Sequence, residues 1–356
     1  MAYSVVPFAP EHLPSLQSFS EDYFDRPRTD AYYQWRYLES IPFSKMFLAL
    51  DGAKCLGLVS AFRKRYLIGG QDVPCLEVFD WHCLPGMKGS GVGIRVMRAM
   101  MREPERVFSF GGTADVLSTL PAMGWQRIGA ARIYELPSSG DFLAAGLQRR
   151  TGLPARATRS LLGAVSRAWF RPHRSRPPKG GRVVPVSVLG DEVLELYRSK
   201  TGYGIVQQPD PSLLSWLACG YPGTGRFDFL SFTVDGRSRG WSLSRVYETG
   251  SGTEAALLDL YCPEPDVALY TWMVSETTTR LLAFRPWMVR ARASCPTLRA
   301  ALRANRYREG ADDIPVHTWP AGLSGDTNPI HVTLNHADEP LRPYPVAGTA
   351  ARFLSS

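Results

Sequence analysis

The tightest constraint in this sequence is a ten-residue run, Leu84-Pro85-Gly86-Met87-Lys88-Gly89-Ser90-Gly91-Val92-Gly93. It follows a stretch rich in Val, Phe, Trp and Leu (74–84) and precedes a segment that places Val92, Val96, Met97, Met100 and Met101 on one side. That periodicity predicts a helix. Alternating glycines let the backbone take positive φ and turn its N–H groups toward one point. Set at a helix N-terminus, those donors and the positive dipole end make an anion site that suits a pyrophosphate. Lys88 adds a point charge, and Arg95, Arg98 and Arg102 are interspersed along the helix.

Two familiar phosphate-binding patterns do not fit. A dinucleotide fold needs G-x-G-x-x-G after a first strand, with an acidic residue about 20 positions on. Here the spacing is Gly89-x-Gly91-x-Gly93. A P-loop needs Gly-Lys-Ser/Thr, which is missing. Upstream, residues 10–40 read as helical, and 46–51 leads into the hairpin signal Asp51-Gly52. Residues 55–63 read as the return strand, 69–72 as a second turn and 74–84 as a long third strand. An antiparallel meander therefore feeds the glycine run.

Strand, proline, lysine, three glycines and helix, in that order, resemble the GNAT superfamily of acyl-CoA-dependent N-acyltransferases. Its motif, Arg/Gln-x-x-Gly-x-Gly/Ala after a strand and a proline, is similar to residues 88–93, with Lys88 in the first position. Gly111-Gly112-Thr113, then 118–120, then Met123-Gly124-Trp125 look like the next strand and the helix ending in Gly-Phe. The resemblance covers residues 3–136. It implies an α/β (α+β) fold, a mixed, mostly antiparallel sheet flanked by helices. It also implies that the backbone at Cys83 and Leu84 pairs with a pantetheine arm. The amides of Lys88, Gly89, Ser90, Gly91, Val92 and Gly93 would take the pyrophosphate of acetyl-CoA or another acyl-CoA.

Acyl transfer to an amine needs a base, because an ammonium cannot attack a thioester; the leaving thiolate needs a proton, and the oxyanion needs a donor. The resemblance implies a carboxylate on the strand before the glycine loop, and Glu77, eleven residues before Lys88, takes that place. Strand alternation puts Glu77, Phe79, Trp81 and Cys83 on one face and Asp80 and His82 on the other. Asp80 and His82 are the alternative bases. Each has an ordinary reading too: Glu77 as a solvated strand-edge carboxylate, His82 as a hydrogen-bonded histidine beside the core. Cys83 reads as a small buried residue, since nothing nearby marks it as activated. One departure matters. Many members carry a Tyr four residues before the Gly of Gly-Phe as general acid; here that position is Leu120, followed by Pro121. Ser118 and Thr119 are the nearest hydroxyls.

The second half reads as an eroded copy. Trp35 lines up with Trp216, Asp51-Gly52 with Asp235-Gly236, and Gly57 with Gly240. Asp80-Trp81-His82-Cys83 lines up with Asp259-Leu260-Tyr261-Cys262, Met123-Gly124-Trp125 with Asn305-Arg306-Tyr307, and Gly129 with Gly310. After Cys262 come Pro263-Glu264-Pro265-Asp266, whose carboxylates would repel a pyrophosphate. The Asp shared at 80 and 259 favours a structural role for Asp80. The expected organisation is a CoA-binding domain at 1–138, a basic linker at 139–182 with one short amphipathic helix, a degenerate copy at 183–320 and a tail at 321–356.

Net charge is +8, but residues 148–182 hold ten Lys or Arg and no acid, so the rest sums to −2. That segment reads as a connector; the sharper readings are contact with nucleic acid or an anionic membrane surface, or a clamp for a phosphorylated ligand. Its aromatics do not interleave with the charges, which disfavours nucleic acid. Six scattered cysteines without a C-x-x-C pair read as reduced cytoplasmic thiols. No visible secretory signal and no apolar run near 18 residues point the same way. His331, His336, Asp338 and Glu339 fit no zinc spacing.

The expected activity is N-acyl transfer, with acetyl the expected group, to an amine of a small molecule or amino sugar, by direct attack in a ternary complex. Trp35, Arg36 and Tyr37 are the expected acceptor-binding residues; the run resembles GNAT-like proteins associated with bacterial surface-polysaccharide synthesis. Two other classes stay open: an aminoacyl-tRNA-dependent peptidyltransferase of the tandem type, and a non-catalytic CoA-binding protein.

Overall fold

The computed structural model describes residues 3–23, 28–138, 175–186, 190–198, 201–221, 224–249, 252–323, 329–337 and 340. Most of the basic segment, including its expected amphipathic helix and membrane contact, and most of the tail lie outside the described residues.

The first half supplies β1 (Ser4–Pro7), α1 (Leu13–Tyr23), α2 (Asp30–Tyr33), β2 (Ser44–Asp51), β3 (Lys54–Ile68) and β4 (Gln71–Cys83). It continues with α3 (Val92–Met100), β5 (Arg106–Phe110), α4 (Ala114–Ala122) and β6 (Gln126–Pro137). The expected 10–40 helix is therefore broken, and α2 continues as a wider helical turn, Gln34–Glu39. The second half supplies β7 (Gly181–Val186), α5 (Asp191–Arg198), β8 (Ile205–Gln208), α6 (Pro211–Cys219), β9 (Arg226–Val234), β10 (Arg237–Thr249) and β11 (Gly252–Tyr261). Then follow α7 (Val267–Leu282), β12 (Met288–Ala293), α8 (Pro296–Ala304), β13 (Arg308–Trp319) and β14 (Ile330–His331).

One sheet runs through both halves, in the order β1-β2-β3-β4-β5-β13-β6-β12-β11-β10-β9-β7. Read from either end, the two halves repeat the same order about a midpoint between β13 and β6. Along this path only β4–β5 and β11–β12 are parallel. In sequence the halves are consecutive, but in space the last strand of each lies in the other's part of the sheet: β13 pairs with β5, and β6 with β12.

The aligned positions match in detail. Gly124 and Arg306 both have positive φ. After them Trp125 N–H reaches the Leu120 carbonyl and Tyr307 N–H the Leu302 carbonyl, the same helix stop in both halves. Trp35 and Trp216 stack at 4.8 Å. Each indole N–H donates to the other's backbone carbonyl at 3.3 Å. A matched pair in the sequence is thus a reciprocal pair in space. β14 and the segment after it are tied to both halves, through Asp259 in one and Glu77 in the other.

Candidate functional site

The site begins where the sheet opens. β4 and β5 pair only from Cys75↔Arg106 to Val78↔Ser109. Beyond Val78 the β4 edge facing β5 has no strand partner among the described residues, although β5 continues beside β13. An unpaired edge inside a sheet is a row of donors and acceptors that an extended ligand can complete.

At the end of that edge the glycine run makes a compact turn. Met87 N–H bonds the Leu84 carbonyl, Lys88 N–H that of Pro85, and Ser90 N–H that of Met87. Gly89 and Gly91 sit at φ 79° and 83°. Their amide N–H groups meet no acceptor among the described residues. A Cβ at either position would meet nothing within 4 Å, so the cradle is open, and it is the positive φ that selects glycine. Gly91 is the N-cap of α3 and offers no side chain to the first-turn donors. Trp81 Nε1 donates to the Gly93 carbonyl at 2.8 Å, locking α3 to β4. Gly57 lets α3 sit close: a Cβ there would lie 2.8 Å from Val92 Cγ1. Lys88 is exposed and pairs with Asp115 at 2.7 Å. That hydrogen bond raises its pKa.

The alternation expected for β4 fails at one point. Val59 pairs with Trp81 but Ala61 with Val78, so β4 carries an extra residue at Phe79–Asp80. Asp80 and His82 therefore join Glu77 and Phe79 on one face, and Trp81 turns to α3. On that face Glu77 is not a solvated strand-edge carboxylate. It is 0% exposed and accepts from Tyr66 Oη, from Lys64 Nζ at 2.8 Å and from Ala337 N–H at 2.6 Å. Three donors hold it in full burial.

Asp80 and His82 sit differently. The half-buried His82 has its Nδ1 3.1 Å from Tyr23 Oη and its Nε2 3.6 Å from Asp80 Oδ1. Asp80 is buried, and its Oδ2 faces Arg36 Nη2 at 3.5 Å. Arg36 is 1% exposed and lies 4.4 Å over the Phe79 ring. Trp35 is buried in the stack with Trp216, and Tyr37 is buried with its phenol pushed up by loss of solvent. Of the expected acceptor-binding residues, Arg36 reaches the Asp80–His82 pair and Trp35 belongs to the packed contact between halves. Cys83 ends β4 at the opening, and Leu84 follows with its N–H bonded to the Leu56 carbonyl; burial pushes the Cys83 thiol up, away from thiolate reactivity. Leu120 is buried, and Ser118 and Thr119 donate to the Asp115 carbonyl at 2.9 and 2.7 Å. Tyr23 was not singled out by any motif. Its only signal is the Phe19–Tyr23 spacing of one helical turn, realised as stacked rings 5.6 Å apart.

No protein-family model matches the sequence, and no curated protein does. Solved structures do. A GCN5-related N-acetyltransferase from Anabaena variabilis superposes with a TM-score of 0.59 at 14% identity, over 89% of this chain and 72% of that one. N-myristoyltransferase of Saccharomyces cerevisiae with bound myristoyl-CoA superposes with a TM-score of 0.59 at 12% identity, over 94% and 88%. The chain has the GNAT fold.

The second GNAT-like half keeps the opening but not the cradle. β11 and β12 pair from Glu254↔Met288 to Leu257↔Ala291, and β11 runs on past them. There Asp259 is held by His331 Nε2 at 3.2 Å and Asn335 Nδ2 at 3.3 Å. Ser294 N–H bonds the Val332 carbonyl, and Cys262 N–H the Tyr270 hydroxyl. Asp266 caps α7, accepting from Leu269 N–H at 2.6 Å. The protein's own groups use what the first half leaves open.

Proposed function

We propose that the chain is an acyl-CoA-dependent N-acyltransferase with one working site, in the first half. The observation that carries this is the junction of the open β4 edge with the glycine-lined start of α3, where Val92 N–H meets only Ser90 Oγ, at 3.5 Å, and the Gly89 and Gly91 amides meet no acceptor among the described residues. Together they offer an extended arm a strand edge, and a pyrophosphate a ring of amides. The Cys83 backbone would bond the pantetheine arm, since Leu84 spends its N–H on the Leu56 carbonyl and its carbonyl on Met87 N–H, and Lys88 would exchange Asp115 for phosphate. His82, backed by Asp80 and Arg36, is the proton-accepting group of the site; Glu77 holds the fold. The donor is acetyl-CoA or a longer acyl-CoA. The acceptor is an amine of a small molecule or amino sugar that enters on the α1–α2 side, past Arg36. The six free cysteines support a reducing compartment, the cytoplasm. No described helix is long and apolar enough to cross a membrane.

Calorimetry with acetyl-CoA, a longer acyl-CoA and free CoA tests the reading. Binding to one site per chain, lost in Gly91→Glu while circular dichroism is unchanged, is the expected result. Absence of heat with every thioester overturns it.

A further inference from the structure

The acyltransferase reading leaves the departing thiolate without a proton donor on α4, where Leu120 is buried and the neighbouring hydroxyls bond their own helix. We propose that Tyr23, the last residue of α1, is the catalytic acid of this site and exchanges its proton with His82. The inference rests on the acyl-transfer reading, and its test separates the two.

The geometry is a chain of four groups. Arg36 faces Asp80 at 3.5 Å, Asp80 faces His82 Nε2 at 3.6 Å, and His82 Nδ1 faces Tyr23 Oη at 3.1 Å. The buried carboxylate favours the tautomer with hydrogen on Nε2, which leaves Nδ1 as an acceptor for the phenol. The rings of Tyr23 and His82 lie 4.8 Å apart, and Phe19 stacks on Tyr23 at 5.6 Å. The half-buried Tyr23 meets β4 through His82, the residue before Cys83 at the strand's end. Burial, Cys83 and Asp80 push its phenol up, with Lys88 opposing, which keeps it protonated at neutral pH.

The step balances. The amine, entering as the free base, forms the C–N bond. Its proton passes to the Tyr23 oxygen as the Tyr23 proton passes to His82 Nδ1. The C–S bond breaks with its electron pair on sulfur. Tyr23 gives sulfur a proton and regains one from His82. Amide and thiol leave, and the relay is as it began.

Two measurements test this. Nitrogen NMR of the His82 ring in the intact chain is expected to show hydrogen on Nε2 and a bare Nδ1 whose shift moves in Tyr23→Phe. Hydrogen on Nδ1 overturns the proposal, because Tyr23 would then accept and have nowhere to send its proton. This readout needs no turnover, so it decides the relay even if the chain binds no acyl-CoA and the acyl-transfer reading falls. In steady-state kinetics, Tyr23→Phe is expected to lower kcat by about 100-fold or more with acyl-CoA affinity within about twofold of wild type. His82→Gln is expected to lose as much, and the double variant little more, because the two act as one device. Full kcat in Tyr23→Phe overturns the acid while leaving the acyl-transfer reading intact.

Discussion

The starts of α3 and α7 hold equivalent places in the two halves, each just past the end of a bulged strand that outruns its parallel neighbour. At α3 the N-cap is Gly91, and the turn before it leaves amides unused. At α7 the N-cap is Asp266, whose carboxylate already takes a first-turn amide. A helix N-terminus attracts an anion only while its donors are unspent. Gly91, at φ 83°, leaves its helix start without a capping side chain of its own, whereas Asp266, at φ −119°, closes the other. The strand ends differ in the histidine: buried Asp80 faces the half-buried His82 and Arg36, whereas buried Asp259 is held by the buried His331 and by Asn335.

Variants can break this comparison, and the largest effect strikes the frame beneath the site. Glu77→Ala leaves Lys64 buried without its carboxylate, a loss of about 3–5 kcal/mol in stability. Urea unfolding should show it; a stability equal to wild type would refute the anchor. Gly91→Glu puts a carboxylate and an unfavourable φ into the cradle and is expected to weaken CoA binding about 100-fold or more, near 2.7 kcal/mol. Calorimetry measures it, and unchanged affinity would move the CoA site elsewhere. The converse change, Asp266→Ala, is expected to cost about 1 kcal/mol of stability and to leave CoA affinity unaltered. A changed affinity would mean that α7 shares the site. Smallest is Arg306→Gly, which places at φ 68° the residue type its counterpart Gly124 already has. A rise in thermal midpoint equivalent to about 0.5–1 kcal/mol is expected; a fall would mean that the Arg306 side chain outweighs its strain.

Much of the frame was legible because it is local. The glycine run, the Asp-Gly turn at 235–236 and the stops at Gly124 and Arg306 are written in short windows, where φ and helix ends select residue types. The repeat was legible because aligned turns kept their order. The β4 bulge was not, since one extra residue leaves no mark on a hydrophobic pattern, yet it moved Asp80 and His82 to the face of Glu77. Glu77 is a related case: its spacing fits a base, but its surroundings are Lys64, Tyr66 and Ala337, which come from β3 and from 260 residues downstream.

By itself the sequence determined where the chain turns, where helices start and stop, and which of two equivalent helix starts is left open to an anion. These are set by single residues acting on their own backbone. Only the tertiary structure decided which carboxylate is buried and spent, which histidine meets a tyrosine, and that each half closes its sheet with the other's last strand. Those outcomes depend on the register between distant strands, and a register is fixed by packing over the whole sheet.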